Sequence, residues 1–188
     1  MSTEKIRCPW CLGDPLYIKY HDEEWGRPLR DNRRLFELLV LEGAQAGLSW
    51  LTILKRRQAY RAAFDGMNPE KIARYGKRDI ARLMGDQRII RNHRKIVSAV
   101  ENAQAWLAMM EGLRNFSAWL WDHVDGEPVI NHFRSMREIP AFTPLSETIS
   151  KELKKKGFSF VGPTIIYAFL QSAGLVNDHL TSCYLRNP

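Results

Sequence analysis

The chain lacks the features that would send it to a membrane, along a secretory route or into a disulfide-built scaffold. No apolar run in its 188 residues approaches the roughly 20 that a bilayer crossing needs. Met1 to Pro9 is polar and carries no apolar segment of a secretory signal, so a cytosolic location is expected. Cysteine is scarce, with three in all, and an odd count argues against a disulfide framework and for reduced thiols free to hold metal. Repeats, low-complexity tracts, long linkers and alternating strand patterns are missing too. Acidic residues are outnumbered, 21 against 28 Lys and Arg, which leaves a formal charge of +7. That excess points to a polyanionic partner, most simply nucleic acid. At 45% hydrophobic and 26% charged, the composition is that of a globular chain with a sizeable core, not a disordered one.

What is present reads as nearly all helix, in a single domain over residues 1–188 or two small helical lobes. The segment Tyr17 to Trp25 suits a short helix closed by Gly26 and Pro28. Asp31 or Asn32 can cap a helix whose apolar stripe is Leu35, Leu38, Leu39, Glu42 and Ala46. Ser49 can cap the next, to about Phe64, and Asn68-Pro69 opens a short one. Helices follow at Lys77 to Met84, Asn92 to Met110 and Phe116 to Val124, then at Ser146 to Lys156 and Thr164 to Ala173. Asp125 to Thr143 has little periodicity and reads as a loop.

Two pairs at the two ends of the chain carry metal chemistry: Cys8 with His21, and His179 with Cys183. On a helix the i, i+4 spacing of the second pair would put both side chains one turn apart. Two thiolates and two imidazoles suit a closed, structural Zn²⁺ site, one per chain, tying the first segment to the last. Buried thiols and unrelated histidines would leave the same pattern. Cys8-Pro9-Trp10-Cys11 also spells a C-x-x-C pair, but no strand precedes it as a thioredoxin-type motif requires. Cys11 remains open as a ligand in place of Cys8.

Glu42 is the other informative residue, since its stripe turns a carboxylate inward, where it needs a partner. Trp50 lies two turns on, and Tyr17, Tyr20 and His21 share a face of the earlier helix. Converging, these groups would form a pocket for a flat, electron-poor or cationic heteroaromatic ligand. The competing reading makes the rings core and pairs Glu42 with an Arg. Between two helices, Lys156-Gly157-Phe158-Ser159-Phe160-Val161-Gly162-Pro163-Thr164 forms a glycine-bracketed turn ahead of a helix start, a geometry that can hold phosphate on backbone amides. Lys151, Lys154, Lys155 and Lys156, and separately Arg88, Arg91, Arg94 and Lys95, could follow a DNA backbone or be solvated faces.

Taken together, these residues resemble the DNA-3-methyladenine glycosylase I family of helix-hairpin-helix base-excision enzymes over nearly the whole chain. The most specific stretches are Arg7 to Trp10, Asp14 to Tyr17, Tyr20 to Gly26, Leu41 to Trp50 and Gly157 through His179. The resemblance implies an all-α helix-hairpin-helix fold with zinc at Cys8, His21, His179 and Cys183. It implies a base pocket of Tyr17, Tyr20, Glu42 and Trp50, with Glu42 catalytic and Trp10 and Trp25 nearby. DNA contacts would come from Lys156, Gly157, Phe158, Gly162 and Thr164. The activity implied is hydrolytic excision of 3-methyladenine from alkylated double-stranded DNA by a monomer that releases the free base. One departure stands out. Asn177, or Asp178 one residue on, occupies the place of a catalytic Asp in many relatives, and Pro163 and Thr164 fill the lyase-lysine region. A monofunctional enzyme without lyase activity is therefore expected. The alternative is a non-catalytic, zinc-stabilised module that binds DNA or a methylated base.

Overall fold

The computed structural model describes residues 5–113 and 115–186, so Met1 to Glu4 of the polar start lie outside the described residues. Nine α-helices account for most of them: α1 Pro15–Glu23, α2 Asn32–Gln45, α3 Trp50–Ala63, α4 Pro69–Ile72, α5 Lys77–Gly85, α6 His93–Leu113, α7 Phe116–Asp122, α8 Pro144–Lys155 and α9 Pro163–Ser172. Their starts are written in the sequence. Side-chain oxygens of Asp14, Asp31, Ser49, Asn68, Asn115 and Thr143 each accept a first-turn amide, satisfying donors that have no partner inside the helix. Prolines 15, 69, 144 and 163 sit in first turns, where no amide hydrogen is needed.

Helix α2 runs through the centre, against α3, α6, α7 and α9. Its Leu35, Phe36 and Leu39 are fully buried among Trp106, Phe116, Ile166, Phe169 and others of the main core. Removing a ring such as Phe36 would cost about 3–5 kcal/mol in lost transfer energy and cavity. A second, smaller cluster joins Cys8, Tyr20 and Trp25 to Leu54, Leu180 and Cys183, so the two ends of the chain meet in one apolar patch. There the Tyr184 amide donates to the Ile6 carbonyl at 2.9 Å. Gly174, with φ +70°, lets the end of α9 touch the turn after α1, since a Cβ there would lie 2.2 Å from the Arg27 carbonyl carbon. No described helix is long and apolar enough to cross a membrane.

Two features depart from the sequence reading. A parallel pair, β1 Val129–Ile130 with β2 Val176–Asn177, registers Val129 with Val176 and Ile130 with Asn177. Two residues a strand are too few to leave an alternating pattern. His179 to Cys183 is also not helical. The Asn177 side chain takes the His179 amide, and Thr181 donates to the Phe133 carbonyl, so successive turns replace the helix.

Candidate functional site

Glu42 sits in the last turn of α2, 2% exposed, with no arginine beside it among the described residues. Its Oε1 accepts from the Ser172 hydroxyl at 2.8 Å, and that hydroxyl accepts from Tyr20 OH at 2.9 Å. Burial pushes the carboxyl up to about 8, and the Ser172 hydrogen bond pulls it only part of the way back. Among the described residues the pairing with Arg entertained from the sequence is not formed, and the neutral Ser172 hydroxyl takes its place.

A cavity of about 220 Å³ opens in front of this group, lined by Trp10, Tyr17, Tyr20, Trp25, Glu42, Gln45, Trp50, Met136, Ile139, Ala168, Gln171 and Ser172. All four residues assigned to the pocket from the sequence meet there. Tyr20 lies 5.6 Å from Trp50 between ring centroids, and Trp10 packs edge-on against Tyr17 at 4.8 Å and Trp25 at 5.0 Å. The Trp50 indole N–H is buried and has no hydrogen-bond partner among the described residues. The walls thus offer ring faces, one buried carboxyl and an unspent donor. Ser172, Gln171, Met136 and Ile139 were not found from sequence: Ser172 lies 130 positions from Glu42 on an apolar helix, and nothing local marks it.

A second cavity, of about 260 Å³, shares Tyr20, Trp50 and Ser172 with the first but is walled by charge. Two of its carboxylates are tightly paired, Glu24 with Arg57 at 2.6 Å and Glu37 with Arg61 at 2.8 Å, and the third, Glu23, is exposed with Lys19 at 3.9 Å. It offers a flat cationic ligand no buried, unpaired carboxylate among the described residues, so the first cavity is the better site for one.

Neither residue in the position of the missing aspartate reaches the pocket. The Asn177 side chain is spent on the His179 amide. Asp178 is buried and accepts from Asn131 at 2.7 Å, Gln171 at 2.7 Å and Tyr167 at 2.5 Å. Three neutral donors thus hold it behind the wall that Gln171 forms.

Cys8, His21, His179 and Cys183 are all buried, and one ligand atom from each lies within 4.8 Å of the others. His179 Nδ1 is 3.7 Å from Cys8 Sγ and 3.5 Å from Cys183 Sγ, and His21 Nε2 is 3.5 Å from Cys183 Sγ. Ligands of a tetrahedral ion at its usual bond lengths stand about 3.3–3.8 Å apart. The ring nitrogens that face away are engaged: His21 Nδ1 meets Asp22 at 2.9 Å, and His179 Nε2 meets the Trp25 carbonyl at 3.3 Å. Donating there fixes the tautomer that turns a lone pair into the cluster. Burial pushes the Cys8 thiol up to about 12 and holds His179 down at about 4. Four buried ligand groups of this kind, without compensating charge, are what a cation would satisfy, and the set could hold a metal. Cys11 stays outside, its thiol donating to the Cys8 carbonyl at 3.2 Å.

The DNA-binding candidates cluster at the turn joining α8 to α9. Lys156 closes α8, Gly162 and Pro163 open α9, and Lys151, Lys154, Lys155, Lys156 and Thr164 are exposed. Phe158 and Val161 are buried and anchor the turn. Arg88, Arg91 and Arg94 are exposed as well, whereas Lys95 turns inward to the carbonyls of Ala44 and Ala46 at the end of α2.

The family model described as methyladenine glycosylase matches residues 10–187. The DNA-3-methyladenine glycosylase of Haemophilus influenzae is 48% identical over 177 residues, 94% of this chain and 96% of that protein. A crystal structure of a 3-methyladenine DNA glycosylase I superposes with a TM-score of 0.93 at 50% identity, covering 95% of this chain and 98% of that one. The enzyme from Staphylococcus aureus, solved for the structural basis of its 3-methyladenine recognition, gives 0.92 at 40% identity over 97% and 96%. Likeness of this degree, end to end and in three dimensions, makes the chain a member of the methyladenine glycosylase family.

Proposed function

We propose that the chain is a DNA repair enzyme, a single-domain N-glycosylase that excises 3-methyladenine from alkylated double-stranded DNA. The observation that carries this reading is the aromatic cavity closed by a buried carboxyl with no cationic partner among the described residues, in a chain so similar to enzymes of that name. Methylation at N3 makes the adenine a cation, and a cation entering the cavity supplies the charge that Glu42 lacks. Its arrival draws the carboxyl to the ionised form, which accepts hydrogen bonds from the base. Trp50 stacks on the ring, and Tyr17 and Tyr20 complete the walls. The base must leave the duplex first, at a cost of a few kcal/mol.

The bond between the sugar C1′ and the base nitrogen then breaks, and its electron pair neutralises the base. A water oxygen bonds C1′ and gives up its proton, leaving an abasic site and free 3-methyladenine. Because the leaving group departs neutral, recognition supplies most of the catalysis. No lysine lines the cavity and Pro163 and Thr164 open α9, which supports hydrolysis without strand cleavage.

Zinc at Cys8, His21, His179 and Cys183 supplies a closed structural crosslink with no open position for a substrate. The turn from Lys156 to Thr164 is read as a helix-hairpin-helix grip on phosphates, and the protein as a cytosolic monomer. Incubation with methylated duplex DNA, followed by chromatography of the released base, tests the assignment. Release of 3-methyladenine with 7-methylguanine retained is expected; DNA binding without release would instead mark a non-catalytic module. A borohydride-trapped covalent adduct would overturn the monofunctional reading.

A further inference from the structure

The turn between α8 and α9 is held in a conformation its own sequence does not favour. Phe160 has φ +52°, a left-handed backbone that a bulky side chain adopts at an energetic cost. Such a residue persists only where its surroundings over-determine it, and functional sites are where that tends to happen.

The surroundings here are specific. Asn102, on α6 and 2% exposed, spends its whole side chain on Ser159: Nδ2 donates to the Ser159 carbonyl at 3.0 Å, and Oδ1 accepts the Ser159 amide at 2.8 Å. On the other side of Phe160, the buried Ser150 hydroxyl of α8 donates to the Val161 carbonyl at 2.6 Å. The Ser159 hydroxyl donates to Glu101 at 2.9 Å. Phe160 itself lies on α2, its Cβ 3.3 Å from where a Cβ on Gly43 would stand, and Gly43 follows Glu42 directly. A side-chain amide is the group that matches this site, because it presents one donor and one acceptor to the two backbone groups of one residue. Aspartate would set two acceptors against each other, and alanine would leave the half-buried Ser159 amide and carbonyl without this partner.

We propose that Asn102 is a positioning residue for DNA binding, pinning the strained turn so that its backbone amides meet a phosphate at a fixed distance from Glu42. The inference rests on the reading of the turn as a DNA contact. Asn102 touches neither the base cavity nor the four-residue metal cluster. Its loss should therefore weaken the grip on the duplex and spare the pocket.

Asn102→Ala, Asn102→Asp and Lys156→Ala are compared with the parent in three measurements. These are anisotropy with a duplex carrying a tetrahydrofuran abasic analogue, tryptophan quenching by free 3-methyladenine, and kcat and KM for base release. Asn102→Ala should weaken duplex binding and raise KM roughly tenfold, the scale of a small misplacement of a binding group. Free-base affinity and kcat should stay within about twofold, as expected when only association with DNA is lost. Asn102→Asp keeps the size of the side chain and should move duplex binding in the same direction; it carries the test if the alanine variant does not fold. Unchanged duplex binding, or equal losses for duplex and free base, would overturn the proposal. Lys156→Ala separates the two layers of reasoning. If it lowers duplex affinity and its salt dependence while Asn102→Ala does not, only the role of Asn102 fails. If Lys156→Ala changes neither, the turn is not a DNA contact and both fail.

Discussion

Glu42→Gln should stabilise the fold while abolishing the activity, and the stabilisation should depend on pH. Burial holds the Glu42 carboxyl at about 8 against an ordinary 4.5. Between those values the folded chain keeps a proton that the unfolded chain has released, so stability falls as pH rises through that window and is level above it. At about 1.4 kcal/mol per pH unit the gap corresponds to about 5 kcal/mol. Water entering the open cavity reduces this, and about 3 kcal/mol is a fair expectation. Glutamine keeps the shape and cannot ionise. Urea unfolding of both proteins at pH 5, 7 and 9 gives the difference in stability at each pH, and subtraction cancels every other titrating group. The variant should gain on the parent by about 3 kcal/mol from pH 5 to pH 9, with base release lost throughout. A difference that stays flat within about 0.5 kcal/mol would refute the reasoning, because Glu42 would then ionise as freely in the fold as outside it. The outcome bears on function, since a carboxylate retained at such a cost is one that a cationic ligand needs.

Three further outcomes follow from the geometry. Cys8→Ser should lose bound metal and thermal stability while Cys11→Ser keeps both, because only the first thiol faces the cluster; elemental analysis and melting curves decide it, and the reverse pattern would transfer the ligand role to Cys11. Ser172→Ala removes the hydroxyl on Glu42 Oε1, and a hydrogen bond to a charged group is worth about 1.5–3 kcal/mol. Since that bond favours the carboxylate, the acid limb of the kcat/KM profile should move to higher pH, and a loss equal at every pH would contradict the assignment. Lys95→Met frees the carbonyls of Ala44 and Ala46 and should lower urea stability by about 1–3 kcal/mol, whereas an unchanged midpoint would mean that Lys95 does not hold the α2–α3 turn.

Local signals foretold the helices well, because caps and first-turn prolines act on residues three or four positions away. Asp31, Ser49 and Asn68 cap where expected. Glu42 could be singled out because a charge in an apolar stripe is a local contradiction. Its partner could not, since Ser172 reaches it through the packing of α2 on α9 and no spacing encodes that. The cluster of Cys8, His21, His179 and Cys183 was legible as chemistry, although the backbone that brings His179 and Cys183 together is a run of turns rather than a helix. Asn102 left no trace either, being one polar residue in a long helix whose value depends on a turn 57 positions away.

The packing of Cys8, Tyr20 and Trp25 on Leu180 and Cys183 bears on the order in which the fold closes. Trp10, a wall of the base cavity, sits on a segment that is held by Leu180, Cys183 and Tyr184. The Leu180 amide that donates to Cys8 Sγ stands 172 positions away along the chain, so loop-closure entropy favours completing the cavity after the local helices have formed. A molecule in which that contact has opened would keep the main core, yet lack the completed cavity. Heating should therefore abolish base release before the main core melts, which ties the working cavity to a contact that spans 172 positions.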